Sequence, residues 1–156
     1  MIQRVQSIYL LLVTVLMSFM LVRPYAQLNL ADSQQVVFTT YAVKQVTDNK
    51  TTDKLRGTFP LLALVIITGS ISFINIFLFN KRLVQIRVCV INTFLLFLTL
   101  GLMCYYYYTM WNSIEHTAHF FRMSAISPVL GIILTFFAYR SIQRDELLVN
   151  SYNRIR

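Results

Sequence analysis

Charge is what this chain has least of. Only 13% of its 156 residues are Asp, Glu, Lys or Arg, about half the share of a soluble globular chain. The scarcity is uneven: four apolar runs, residues 5–22, 59–79, 88–111 and 125–142, hold no acid or base until Arg140 marks the end of the last. Proton relays, ion pumps and ion-coupled carriers place ionisable groups inside their helices, so those classes are not expected. Cysteine is nearly as scarce. Cys89 and Cys104 are the two present. Fifteen positions apart on one helix, they stand about 22 Å from each other, too far for a mutual disulfide. Neither forms the CxxC of a thiol-oxidising enzyme. The sequence also lacks HExxH, a glycine-rich phosphate loop and GxSxG. No enzyme activity and no cofactor is expected.

What is present is length of apolar run. Phe59 to Phe79 and Val88 to Tyr108 are each about 21 residues, about 31 Å as a helix and so about the hydrocarbon thickness of a bilayer. Only helices satisfy their own backbone there segment by segment. The two runs predict a transmembrane hairpin with Lys81, Arg82 and Arg87 at its bend. The first run, preceded by Gln3 and Arg4, is longer than the apolar region of a signal peptide and ends in Arg23-Pro24-Tyr25-Ala26 without a small-residue cleavage site. It is read as an uncleaved first helix. The last run carries Pro128 in its first turn, where proline is tolerated. The expectation is an all-α membrane protein: a single membrane domain spanning residues 1–156, built as a four-transmembrane-helix bundle.

Residues 23–58 are the one long polar segment. Val36 to Val43 is rich in β-branched and aromatic residues, with turn chemistry at Asp32-Ser33 and Asp48-Asn49-Lys50 on either side. With Gln27 to Ala31 as a short partner, it predicts a small β-hairpin-like loop standing on the membrane. A lone hairpin is marginal in water, so it must lean on helix ends or on another protein.

The formal net charge of +8 would suggest nucleic acid in a soluble protein. Here the basic residues flank apolar runs, which is a topology signal instead, and no nucleic-acid partner is expected. Arg4, Lys81, Arg82, Arg87, Arg140, Arg144, Arg154 and Arg156 fall on one side of the membrane, and Arg23, Lys44, Lys50, Lys54, Arg56 and Arg122 on the other. The bias is modest, but the first helix and the tight basic bend make the same choice. Both termini are expected in the cytoplasm.

Three groups of residues are candidates for specific roles. Asn75 and Asn92 lie about five residues either side of the bend, at similar depth. An amide in hydrocarbon needs a partner, so they bond to each other or to a neighbouring helix, or they line a polar path. Glu115, His116 and His119 could begin a metal site, with the two histidines at i, i+3. An ordinary interfacial segment is the simpler reading. The tail, residues 143–156, repeats Leu148, Tyr152 and Ile155 at i, i+4, i+7. That stripe needs covering by lipid, by the basic bend or by a partner. Arg4 at the inner mouth of the first helix could meet Asp145 or Glu146 and set the exit angle of the tail.

The opening MIQRVQSIYLLL and the closing YRSIQRDELLVNSYNRIR resemble the two ends of a Bacteroidetes family of four-helix integral membrane proteins of unknown function. That resemblance implies the inner membrane of a diderm bacterium, with the polar loop in the periplasm. It implies no activity. The partners expected are membrane lipids and other inner-membrane subunits. The functional expectation is a non-catalytic accessory or scaffold subunit of a larger complex. The competing one is a small carrier or lipid-handling protein using a polar path near Asn75 and Asn92.

Overall fold

The computed structural model describes residues 3–30, 34–47, 50–78, 81–113 and 118–154. Four helices carry the chain: α1 (Gln3–Val22), α2 (Phe59–Phe77), α3 (Arg82–Trp111) and α4 (Ser127–Arg154). α1 packs against α2 and α4, and α3 against the same two, so the helices form a bundle in the order α1-α2-α3-α4. Three segments, Phe59–Phe77, Arg82–Trp111 and Met123–Leu147, are long and apolar enough to cross a bilayer, while the apolar part of α1, Gln6–Val22, is shorter.

The bundle follows a seven-residue seam. Buried positions on α3 are Gln85, Cys89, Asn92, Leu96, Thr99, Met103 and Tyr106, alternating steps of four and three as in coiled-coil packing. α2 does the same with Leu61, Val65, Thr68, Ser72 and Asn75, and α1 with Gln6, Leu10, Val13, Met17 and Met20. The outward faces are apolar instead: Leu11, Val15 and Phe19 on α1, Ile67, Phe73 and Ile74 on α2, Ile91, Phe94 and Phe97 on α3, and Ile133 and Phe136 on α4 are exposed. Polar groups inside and large hydrocarbon groups outside is the arrangement of helices surrounded by lipid tails, where small and polar residues make the contacts.

The polar segment corrects one expectation. Instead of a small hairpin-like loop there is a five-stranded antiparallel sheet in the order β4-β3-β2-β1-β5. Its strands are β1 (Ala26–Asn29), β2 (Gln34–Phe38), β3 (Ala42–Thr47), β4 (Lys50–Gly57) and β5 (Ala118–Phe121). Val36 to Val43 is not one strand, because the chain turns between Phe38 and Ala42. Thr39 and Thr40 hold that turn. The Thr39 N–H donates to the Ala42 carbonyl at 3.1 Å, and the Thr40 hydroxyl to the Met20 carbonyl at 2.6 Å. The latter satisfies one of the orphan carbonyls at the end of α1. β5 comes from the segment between α3 and α4, read from sequence as interfacial. It pairs with β1, Leu28 facing His119 in register.

The sheet leans on the bundle through aromatic rings. Phe38 meets Tyr25 and Tyr107 at centroid distances of 5.9 and 5.7 Å, and Tyr107 meets Phe121 at 5.0 Å. Tyr25, Leu28, Val36 and Phe38 are buried together with Met20, Met103 and Tyr106 in one continuous core. At the other end of the molecule the helices run past their apolar cores. α3 begins at Arg82, a turn and a half before the apolar run, and the fourth helix and the tail are one uninterrupted helix.

Candidate functional site

The seam becomes polar towards the bend between α2 and α3. Gln6, Ser72, Asn75, Gln85, Asn92 and Asp145 are all buried there. Asn75, Gln85 and Asn92 are each 1% exposed. They face inward because they occupy seam positions, and their seams converge where the helices pack.

Asn92 Nδ2 donates to Ser72 Oγ at 2.9 Å, and Asn75 Nδ2 reaches Cys89 Sγ at 3.2 Å. The two asparagines therefore bond across to the neighbouring helix rather than to each other. Gln85 Nε2 donates to the Asn75 carbonyl at 3.3 Å, holding the start of α3 to the end of α2. Asp145 on α4 accepts a hydrogen bond from Gln6 Nε2 on α1, and its backbone carbonyl accepts from Arg82 Nη1 at 3.2 Å. One acid thus ties α1, α3 and α4 together at this end.

The pairing is incomplete. The side-chain carbonyls of Asn75, Gln85 and Asn92 are buried without a hydrogen-bond donor among the described residues. Each retains acceptor capacity in a medium where an unpaired polar group costs about 1–3 kcal/mol. The cluster holds hydrogen-bonding amides, a thiol and one carboxylate. Among the described residues no three His, Cys, Asp or Glu side chains gather as metal ligands.

Asn75, Asn92 and Asp145 come together in this end of the bundle, and Glu146 is the partly buried neighbour of Asp145. Leu148 and Tyr152 are on the far part of α4 and Arg4 is on the first turn of α1, but their side chains lie outside the described set. Ile155, Glu115 and His116 lie outside the described residues altogether, and His119 is described by its backbone alone, in β5. Sequence reading placed Gln6 at the membrane interface and Ser72 among small packing residues, and it missed Gln85. The signal was available: Gln85 and Asn92 at seam positions on α3, with Ser72 and Asn75 at seam positions on α2.

The described residues also form surface concavities. A groove of about 440 Å³ between α1 and α2 is lined by Thr14, Met17, Ser18, Gly69 and Phe73 among others. An apolar groove of about 320 Å³ between α3 and α4 is lined by Val90, Phe94, Phe97 and Phe136 with Thr93 and Tyr139. A third, of about 410 Å³, lies at the sheet end between Arg23 and Arg122.

The chain belongs to the family described as a domain of unknown function, DUF4293, whose match runs over residues 2–155 and so covers nearly the whole sequence. No curated protein matches it.

Proposed function

We propose that the protein is a non-catalytic accessory or scaffold subunit of a larger inner-membrane complex of a diderm bacterium. It crosses the membrane four times with both termini in the cytoplasm and the sheet in the periplasm. Respiratory, secretion and energy-transducing assemblies all fit. The observation that carries the reading is the overhang of α4. Arg82, at the start of α3, bonds to Asp145, and α4 runs on to Arg154, nine residues or about 13 Å further. A helix that runs on past this contact, with Leu148 and Tyr152 spaced i, i+4 on it, is suited to dock on something else. The orientation rests on the basic bend and on the eight basic residues at that end against six at the other.

Extraction in mild detergent tests the reading. A stoichiometric partner that copurifies with the intact chain is the expected result; a solitary protein carrying bound lipid sinks it. Reporter fusions at Arg156 and near Asn49 should give opposite signals, and a periplasmic signal at Arg156 would overturn the orientation.

One observation favours a second reading, a small carrier with a polar path. The side-chain carbonyls of Asn75, Gln85 and Asn92, without a donor among the described residues, could accept from a substrate. Loss of transport in Asn75→Leu or Asn92→Leu, with folding intact, would support it over the scaffold.

A further inference from the structure

At the sheet end, two arginines are locked side by side by backbone. Arg23 directly follows α1, and Arg122 directly follows β5. The Arg122 N–H donates to the Tyr25 carbonyl at 3.0 Å, and the Ser124 hydroxyl to the Pro24 carbonyl at 3.0 Å. These bonds hold the two segments against each other. Between them is a cavity of about 410 Å³ lined by Phe19, Arg23, Pro24, Arg122, Met123 and Ser124. No carboxylate is among these residues. Arg122 Nη2 donates to Gln27 Oε1 at 2.7 Å, which uses one donor and orients the guanidinium, leaving others of its five. Arg23 is exposed and its side chain has no partner among the described residues.

The cavity has an apolar floor. Phe19 is 42%, Val22 79% and Met123 83% exposed, and all three are on or next to the outward face of the bundle. The guanidiniums therefore stand where hydrocarbon gives way to headgroups, with the sheet rising beside them. Solitary arginines at this level snorkel towards water. Two arginines that line one cavity on segments held together by backbone bonds, one of them oriented by Gln27, can both serve a single anion. Arginine donors match phosphate oxygens in geometry as well as charge. A water-soluble phosphate would use the arginines and leave Phe19 and Met123 without purpose. A lipid uses both.

We propose that Arg23 and Arg122 form a binding site for the phosphate of an anionic phosphoglycerolipid in the leaflet on the sheet side, with its acyl chains lying against Phe19 and Met123. The site is independent of any partner subunit and of which side of the membrane the sheet occupies.

Titration of the full-length protein in neutral detergent with dioleoylphosphatidylglycerol, read by native mass spectrometry, tests this. Arg23→Gln with Arg122→Gln should weaken binding by at least about tenfold, since two charge-assisted contacts are lost. Arg140→Gln, an exposed arginine at the opposite end, should leave it unchanged. Dioleoylglycerol, with the same chains and no phosphate, should not compete, and neither should glycerol 3-phosphate. Should the double variant not fold, Arg23→Gln alone carries the test and should still weaken binding. Equal binding by wild type and the arginine variants overturns the site. So does an equal loss in Arg140→Gln, which would mean diffuse charge. Displacement of the lipid by glycerol 3-phosphate would mean a soluble-anion site and would also overturn it.

Discussion

The phenol of Tyr25 is fully buried beneath the sheet and its hydroxyl has no hydrogen-bond partner among the described residues. Burial, with the nearby Tyr106 and Cys104 adding to it, pushes its ionisation well above the ordinary value of 10.0. Below that value the phenol is neutral in both folded and unfolded chains. As pH rises past it, the unfolded chain ionises first, so stability falls from about pH 10 upward. Tyr25→Phe removes both the unpaired hydroxyl and this source of alkaline sensitivity. It should leave stability at neutral pH unchanged or higher by up to about 1 kcal/mol, and flatten its decline between about pH 10 and pH 12 relative to wild type. Thermal melts across that range check it: a variant less stable at neutral pH would show that the hydroxyl has a partner, and an unflattened decline would show that Tyr25 does not govern the alkaline range. The amides present a second residue-scale test. A double-mutant cycle on Asn92→Leu and Ser72→Ala should give a coupling of about 0.6 kcal/mol, the usual size for a side-chain bond between membrane helices. A coupling near zero would show the 2.9 Å contact to be incidental. That Asn75 and Asn92 need partners was legible from residue type alone. Which partners they take was not, because the stagger of α2 against α3 is decided by packing along the whole seam.

Among the elements, helices were more legible than strands, for a physical reason. A membrane helix is specified by a long local run, which composition reveals. A strand is specified by what it pairs with. β4, KTTDKLRG, has little strand propensity, and it forms because β3 lies beside it. β5 forms because β1 offers an edge after a separation of about ninety residues. The high propensity of Val36 to Val43 misled in the opposite sense, since the Thr39 and Thr40 bonds break it in two. The seam itself was readable at 85, 89, 92, 96, 99, 103 and 106, yet length and charge alone do not expose it. On α4 it includes the buried Gly131. A Cβ there would stand 3.2 Å from Leu96 Cδ2 and 3.4 Å from Met17 Cε, both ends of flexible side chains. Gly131→Ala should therefore be tolerated with a shift of a few tenths of an ångström. Gly131→Leu must push α4 away from α1 and α3, and overpacking of this kind costs about 1–3 kcal/mol. Unfolding in mixed micelles should separate the two variants; if both melt with wild type, α4 is looser than its contacts imply.

Taken whole, the molecule has two unlike ends. At one, a sheet and a belt of aromatic rings close the bundle. At the other, the core turns polar and α4 runs on to Arg154. Asp145 marks the division between bundle and overhang. It is 7% exposed and accepts from Gln6, while its carbonyl accepts from Arg82 at 3.2 Å. From sequence Asp145 or Glu146 was expected to meet Arg4 on α1; the partner that Asp145 takes on α1 is Gln6. Its burial follows from the facing seam position of α1, which also holds a polar residue. A chain stopped after Arg144 thus loses more than the overhang. Buried Gln6 and partly buried Arg82 are left without their acceptors, and a buried group so abandoned costs about 1–3 kcal/mol. A chain stopped after Leu147 keeps Asp145 and removes only the free part of α4. The stop after Arg144 should melt lower than wild type, and the stop after Leu147 should melt with it. Both should lose the copurifying partner if the overhang is the docking element. A Leu147 stop that keeps its partner at full occupancy would move the docking surface elsewhere, and the exposed edges of the sheet would be the next place to look. A difference in melting between the two stops, with the partner lost from both, would separate what Asp145 does for the bundle from what the overhang does for the assembly.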